Sequence, residues 1–117
     1  MEVMQSNLPQ FFKALSDPTR LRILRLLMEA PHCVCEMEEA LSLPQPLLSR
    51  HLSYLRAASL VEGVRDGVRV NYRLRPDHEA LRIFLPALRR ALATGPQPPA
   101  SRLLRKSRLS TPARRNA

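Results

Sequence analysis

The stretch Cys33–Leu74, "CVCEMEEALSLPQPLLSRHLSYLRAASLVEGVRDGVRVNYRL", changes its hydrophobic rhythm twice, and those changes decide the fold. Cys33 to Ser42 reads as a short helix. Leu43-Pro44 ends it, since proline fixes φ and pushes the residue before it out of the helical region. Pro46 then stands where a new helix tolerates proline, in its first turn. From there to about Ala58, successive residues at about 100° put Leu48, Leu52 and Leu55 on one stripe with His51 at its flank. The opposite face carries Pro46, Ser49, Arg50 and Ser53, with Gln45 at the N-terminal end. Two short helices joined by a turn of three to four residues have helix-turn-helix spacing. Beyond them the period falls to two: Val68, Val70, Tyr72 and Leu74 alternate with Arg69, Asn71 and Arg73, and Asp66-Gly67 is a hairpin signal. A basic hairpin directly after such a helix pair is a wing, with Arg65 and Arg69 flanking its tip. The expected fold is mainly α with a β-hairpin wing, a winged helix-turn-helix.

Working outward, "SDPTRLRILRLLMEA" opens with Ser16 or Asp17 as N-cap and Pro18 near the first helical position. Leu21, Leu24, Leu27 and Met28, joined by Ile23, follow helical spacing, with Arg20, Arg22, Arg25 and Glu29 on the other side. Before it, Leu8, Phe11, Phe12 and Leu15 mark a first helix of about two turns. A last helix is expected over Asp77–Ala93, with Leu81, Phe84, Leu85, Leu88 and Leu92 on one stripe and a kink at Pro86. The two terminal helices offer more apolar surface than so small a core needs. Leu8, Phe11, Phe12, Leu81, Phe84, Leu85 and Leu88 are therefore expected to join two copies in a homodimer.

The chain has 117 residues, the size of one domain, and a formal charge of +9. Residues 94–117 are rich in Pro, Ser and Ala and carry six basic residues, Arg102, Arg105, Lys106, Arg108, Arg114 and Arg115, with no acidic ones. This segment reads as a disordered basic Pro-rich tail; subtracting its six charges from +9 leaves residues 1–93 with +3. The basic excess favours a polyanion as partner, and since no apolar run approaches the roughly 20 residues of a bilayer span, that partner is expected to be nucleic acid and not a membrane. The N-terminus lacks the basic and apolar regions of a secretory signal, so the expected location is cytoplasmic. There, the only two cysteines, Cys33 and Cys35, are expected to be reduced and available for metal or redox chemistry. Short polar side chains with an Arg and a Gln near a helix N-terminus suit phosphates and base edges in a major groove. Arg50 can fork onto guanine and Gln45 can pair with adenine. Arg65 and Arg69 suit a minor groove or phosphates. No catalytic constellation stands out: there is no CxxC, no Gly-rich phosphate loop and no nucleophile with an evident base, so an enzyme with a catalytic cofactor is not expected.

"ALSDPTRLRILRLL", "CVCEM", "LPQPLLSRHLSYLRAASLV" and "VRDGVRVNYRL", in this order across about Leu15–Pro76, resemble the arsenical-resistance repressor (ArsR) family of winged helix-turn-helix metal sensors. The resemblance implies a homodimer that binds palindromic, double-stranded operator DNA and leaves it when a thiophilic ion binds. It also implies that Cys33 and Cys35, in Cys33-Val34-Cys35-Glu36, supply thiolates to arsenite or antimonite, or to another thiophilic metal ion, as inducer. The chain departs from the family in several places. A third cysteine, frequent three residues beyond the second, is here Glu38, and the N-terminal cysteines of cadmium- and lead-sensing relatives are missing from Met1–Pro31. The zinc pattern of Asp-x-His with a later His/Glu pair is broken, since Asp77 is followed by Glu79 and no His follows His78. The usual Gly before "LV" is Ser59, and Pro46 stands where Ser is usual.

His32 is a possible third ligand, with an exposed loop histidine as the alternative; His51 reads as a packing residue at the core edge. Residues i and i+2 on a helix point about 200° apart, so Cys33 and Cys35 cannot both grip one ion while the helix is regular, and ligand capture is expected to require unwinding of the first turn. A redox dithiol switch and a ligand-independent DNA-binding protein are the competing readings.

Overall fold

The computed structural model describes residues 2–94, and the side chains of residues 8–93; the tail expected over 94–117 lies, beyond Thr94, outside the described residues. The elements run α1 (Glu2–Leu15), α2 (Pro18–Glu29), β1 (His32–Cys33), α3 (Val34–Leu41), α4 (Gln45–Ala57), β2 (Val61–Asp66), β3 (Arg69–Leu74) and α5 (Glu79–Thr94). This is a winged helix-turn-helix: α3 and α4 form the helix pair, β2 and β3 the wing.

Local chemistry sets the boundaries. Asp17 sits in extended backbone and its carboxylate accepts the Arg20 N–H at 3.0 Å, leaving Pro18 to start α2 without an orphaned donor. The same hydrogen bond holds the Asp17 carboxyl below its ordinary range, with burial opposing and His51 and Arg20 assisting. Helix α4 closes with the Ser59 N–H on the Arg56 carbonyl (2.9 Å) and the Leu60 N–H on the Leu55 carbonyl (3.0 Å), a Schellman arrangement that puts Ser59 at φ 63°. That left-handed position suits glycine, and this chain fills it with serine. Ser42, at φ 54°, ends α3 in the same left-handed region.

Leu48, Leu52 and Leu55 are all buried, as their stripe requires. On α2 the buried set is Ile23, Leu24, Leu26 and Leu27, with Leu21 and Met28 half-buried, so the stripe is rotated toward Leu26. Helix α1 extends well beyond two turns, to Glu2, and tolerates Pro9 inside it; α5 likewise continues past Pro86. The hairpin turn is Gly67-Val68, one residue later than expected, with Asp66 paired to Arg69. Gly67 supplies the φ of 68° that the first turn position needs, and Val68 stands 96 % exposed at the tip instead of facing the sheet.

Two expected dimer residues belong to the protomer's own core. Phe11 is fully buried, stacked on Phe84 and on His78 with ring centroids 5.6 Å away in both cases, and Leu81 is 2 % exposed. They are spent joining α1 to α5 within one chain. What remains outside is Phe12 (49 %), in edge contact with Phe11 and Phe84, and Ile83 (52 %), with Leu8, Phe84, Leu85 and Leu88 partly covered.

A third strand completes the sheet. β1, only two residues long, pairs antiparallel with β3 in the register His32↔Tyr72 and Cys33↔Asn71, giving the order β1-β3-β2. The first cysteine is therefore hydrogen-bonded through its backbone region to the wing.

Candidate thiol site and nucleic-acid face

Cys33 lies outside α3. It is the N-cap, with φ −81° and ψ 167°, and is buried, whereas Cys35 in the first turn is exposed. Extended backbone at Cys33 turns its side chain over the start of the helix, toward that of Cys35. The two sulfurs meet in a disulfide, with Cα atoms 5.4 Å apart, inside the range such a bridge needs. Two expectations change here. The thiols are joined instead of reduced, and no helical turn must unwind for both sulfurs to reach one ligand, because only one of them belongs to the helix.

A capping box fixes this turn. The Cys33 sulfur accepts the Glu36 N–H at 3.4 Å while Glu36 Oε1 accepts the Cys33 N–H at 3.2 Å. His32 is a buried strand residue, not an exposed loop histidine; its Nδ1 lies 3.1 Å from Glu36 Oε1. From the wing, Arg69 Nη2 reaches Cys33 Sγ at 2.9 Å and Glu36 Oε2 at 3.4 Å. Burial pushes the Glu36 carboxyl up, but the His32 hydrogen bond, the Cys33 N–H and the charges of His32 and Arg69 outweigh it and hold it below the ordinary range. Sulfur, carboxylate, imidazole and guanidinium thus come together from β1, α3 and β3.

As a ligand set, the site offers two sulfurs. Among the described residues no group of three or more His, Cys, Asp or Glu is placed to hold a metal ion. A bidentate soft-ion chelate fits this donor set once the disulfide is reduced. His32 is almost wholly enclosed, and its Nδ1 is engaged by Glu36. Asp77 is forked by Arg75 at 3.0 and 2.7 Å, and His78 faces inward, where its Nδ1 accepts the Leu81 N–H at 3.1 Å and caps α5. Burial pushes the His78 imidazole below its ordinary range, against the pull of Asp77.

On α4, Gln45, Pro46, Arg50 and Ser53 are exposed and Ser49 half-buried, forming one outer face opposite the leucines. Pro44 is the N-cap of α4 and makes no side-chain hydrogen bond; its carbonyl accepts the Leu47 and Leu48 N–H groups, both at 3.1 Å. Arg65 is exposed on β2, and Arg69 is about half exposed despite its sulfur contact.

Several residues that position this face carry no pattern in the sequence. Arg20, expected on the polar side of α2, reaches back to α1, donating from Nε to the Ala14 carbonyl (2.8 Å) and from Nη2 to the Lys13 carbonyl (3.2 Å). Its guanidinium lies 4.0 Å from the ring centroid of Tyr54 and 3.5 Å from His51 Nδ1, both on α4. His51 is accordingly a core-edge residue that also faces Asp17, at 3.9 Å. Arg22 donates to the Leu41 carbonyl at 2.9 Å and ties α2 to the end of α3. The only readable hint was the number of arginines on α2; their partners are distant in sequence.

Comparison with known proteins agrees with this architecture. Residues 17–62 match the bacterial regulatory protein, arsR family. The chain is 44 % identical over 82 residues to the HTH-type transcriptional repressor SmtB of Mycobacterium tuberculosis, across 70 % of this chain and 60 % of that protein. It is 42 % identical over 85 residues to the arsenic resistance transcriptional regulator ArsR2 of Pseudomonas putida, across 68 % and 74 % of the two. The chain thus spans less than two thirds of the SmtB repressor's length. Among solved structures, HlyU of Vibrio cholerae superposes with a TM-score of 0.63 at 31 % identity, covering 75 % of this chain and 97 % of that one. The homodimeric winged helix-turn-helix DNA-binding domain Mb0332 of Mycobacterium bovis gives 0.64 at 27 %, covering 74 % and 82 %. Helix pair, wing and sequence agree: the chain belongs to the arsR family of bacterial regulatory proteins.

Proposed function

We propose that this protein is a transcriptional repressor that binds double-stranded operator DNA as a homodimer and releases it when arsenite, antimonite or another thiophilic ion is captured by Cys33 and Cys35. The observation that carries the reading is the placement of both sulfurs at the junction of β1 and α3, with α3 packed on α4 and β1 paired with the wing. Arsenic-resistance regulator and repressor names among the relatives support the same class, and the homodimeric structural neighbour supports the assembly.

In this reading Gln45, Pro46, Ser49, Arg50 and Ser53 enter the major groove, and Arg65 and Arg69 meet the phosphates or the minor groove. Phe12, Phe84, Leu85, Leu88 and Leu8, with Ile83, join two protomers. Each reduced thiol gives its proton to a hydroxide of arsenous acid; two waters leave and two As–S bonds form. Release follows only if the ligand binds the DNA-incompetent shape more tightly; a 100-fold loss of operator affinity corresponds to about 2.7 kcal/mol of coupling.

The test is an arsenite titration of the protein–operator complex, with a phosphine as reductant because dithiols compete for arsenic. Wild type should dissociate, and Cys33→Ser, Cys35→Ser and the double variant should bind the operator yet fail to release it. Dissociation of the double variant would place the inducer site elsewhere. The disulfide itself favours a second reading, a redox-responsive repressor; release by oxidant but never by arsenite would select it.

A further inference from the structure

We propose that Arg69 is a positioning residue shared by the thiol site and the wing, and that its guanidinium relays the state of the Cys33 sulfur to strand β3. The inference rests on the reading that Cys33 and Cys35 capture a thiophilic ligand.

Three observations carry it. Arg69 is the first residue of β3, paired with Asp66 across the hairpin, so its position sets the base of the turn that carries the exposed tip. Its Nη2 lies 2.9 Å from Cys33 Sγ and 3.4 Å from Glu36 Oε2, so a residue of the DNA-facing hairpin touches one of the two proposed ligand atoms directly. Glu36 in turn is anchored by His32 Nδ1 and by the Cys33 N–H, so the far side of the contact is fixed in place. Arg65, by contrast, sits exposed on β2 and serves as the ordinary wing cation.

The physical argument is competition for one sulfur. A guanidinium N–H is held by a lone pair on Cys33 Sγ, and a sulfur bonded to a soft ion has committed a lone pair to it, while the ion and its remaining ligand take up space beside that atom. Capture therefore exchanges the Arg69 contact for the metal–sulfur bond. The backbone ladder between β1 and β3 persists, but the side chain that fixed the start of β3 against Glu36 and Cys33 is set free. The wing then loses the orientation in which Arg69 and Arg65 meet DNA together.

The experiment compares wild type, Arg69→Lys, Arg69→Ala and Arg65→Ala, all full-length and phosphine-reduced, with sodium arsenite as probe. Ligand capture is read from the sulfur-to-arsenic ultraviolet absorbance, operator affinity by fluorescence anisotropy with and without arsenite, and wing mobility by amide hydrogen exchange of Val70–Tyr72. Capture should persist in every variant, since the two thiols are retained, and should be at least as tight in the Arg69 variants, where no guanidinium–sulfur contact is exchanged away. In wild type arsenite should weaken operator binding and speed exchange in β3. In both Arg69 variants β3 should exchange faster from the outset, and the ratio of affinities without and with arsenite should collapse to within about threefold of unity. Arg65→Ala should bind more weakly but keep the full ratio. Arg69→Lys, which keeps charge and stem, guards against a merely misfolded Arg69→Ala. A wild-type ratio in Arg69→Lys and Arg69→Ala would overturn the inference and reduce Arg69 to a phosphate contact. Absence of the As–S absorbance in wild type would overturn the parent reading, and the relay with it.

Discussion

Cys33 caps α3 and, in the proposed sensor, would also be a ligand sulfur, two tasks that substitution separates. In the reduced protein, Cys33→Ala removes the acceptor of the Glu36 N–H and the packing of a side chain only 5 % exposed. A lost cap costs about 0.5–2 kcal/mol, and sulfur, a weak acceptor at 3.4 Å, belongs at the lower end of that range. The buried sulfur adds about 1 kcal/mol, so Cys33→Ala should destabilise by about 1.5 kcal/mol. Cys33→Ser gives back a better cap while losing the sulfur's burial, and should stay within about 0.5 kcal/mol of wild type. Cys35→Ser, at an exposed position, should be neutral. Urea unfolding at fixed protein concentration measures this, with concentration held constant because the stability of the proposed dimer would depend on it. Both Cys33 variants should lose the arsenite response equally. Equal destabilisation by Ser and Ala, or none by Ala, would refute the claim that Cys33 caps the helix.

Arg20→Leu should cost about 2 kcal/mol by releasing two carbonyls of α1 and the Tyr54 ring, and a double-mutant cycle with Tyr54→Leu should return a coupling of about 0.5 kcal/mol; additivity would show that the ring contact contributes nothing. Ser59→Gly should stabilise by about 0.5–1 kcal/mol, read as a higher urea midpoint at unchanged slope, because φ 63° strains serine and not glycine. His78 takes up its proton less readily folded than unfolded, since burial disfavours the charged ring and its Nδ1 must accept the Leu81 N–H. The stability it contributes is therefore complete above the unfolded value near 6.5 and falls away as pH drops from there toward the lowered folded value. His78→Asn, a cap that does not titrate, should lose less stability than wild type between about pH 7.5 and about pH 5.5 in urea unfolding; equal losses would exclude His78 as the source.

The leucine stripe of α4, the Asp17-Pro18 start of α2 and the basic hairpin were all readable from spacing, because period and capping are local properties of the chain. The thiol site was readable only as a pair of residues. Whether both cysteines share a helix turns on a boundary one residue wide, finer than periodicity can place, and that residue decides whether the sulfurs diverge or meet. β1 is too short to show a period at all. The Arg20, Arg22 and Arg69 contacts join residues far apart in sequence, and a charged side chain on a polar face looks the same whether it is solvated or clamps a neighbouring helix. Phe11 and Leu81 show the converse: an apolar stripe does not say whether its cover comes from the same chain or a second one.

The ladder joining β1 to β3 is made of main-chain atoms at His32 and Cys33, so it is indifferent to the side chains those positions carry. Residue 33 keeps its backbone address beside the wing whether it bears a thiol, an imidazole or a carboxylate. If the proposed function holds, donor atoms at 33 and 35 could drift toward harder or softer ions while the backbone pairing of β1 with the hairpin, and the outer face of α4, stay as they were. On the proposed reading, ligand donors and the base-reading face would lie on different elements, and an engineer seeking a new inducer would have to keep the Arg69 contact but not rebuild the operator.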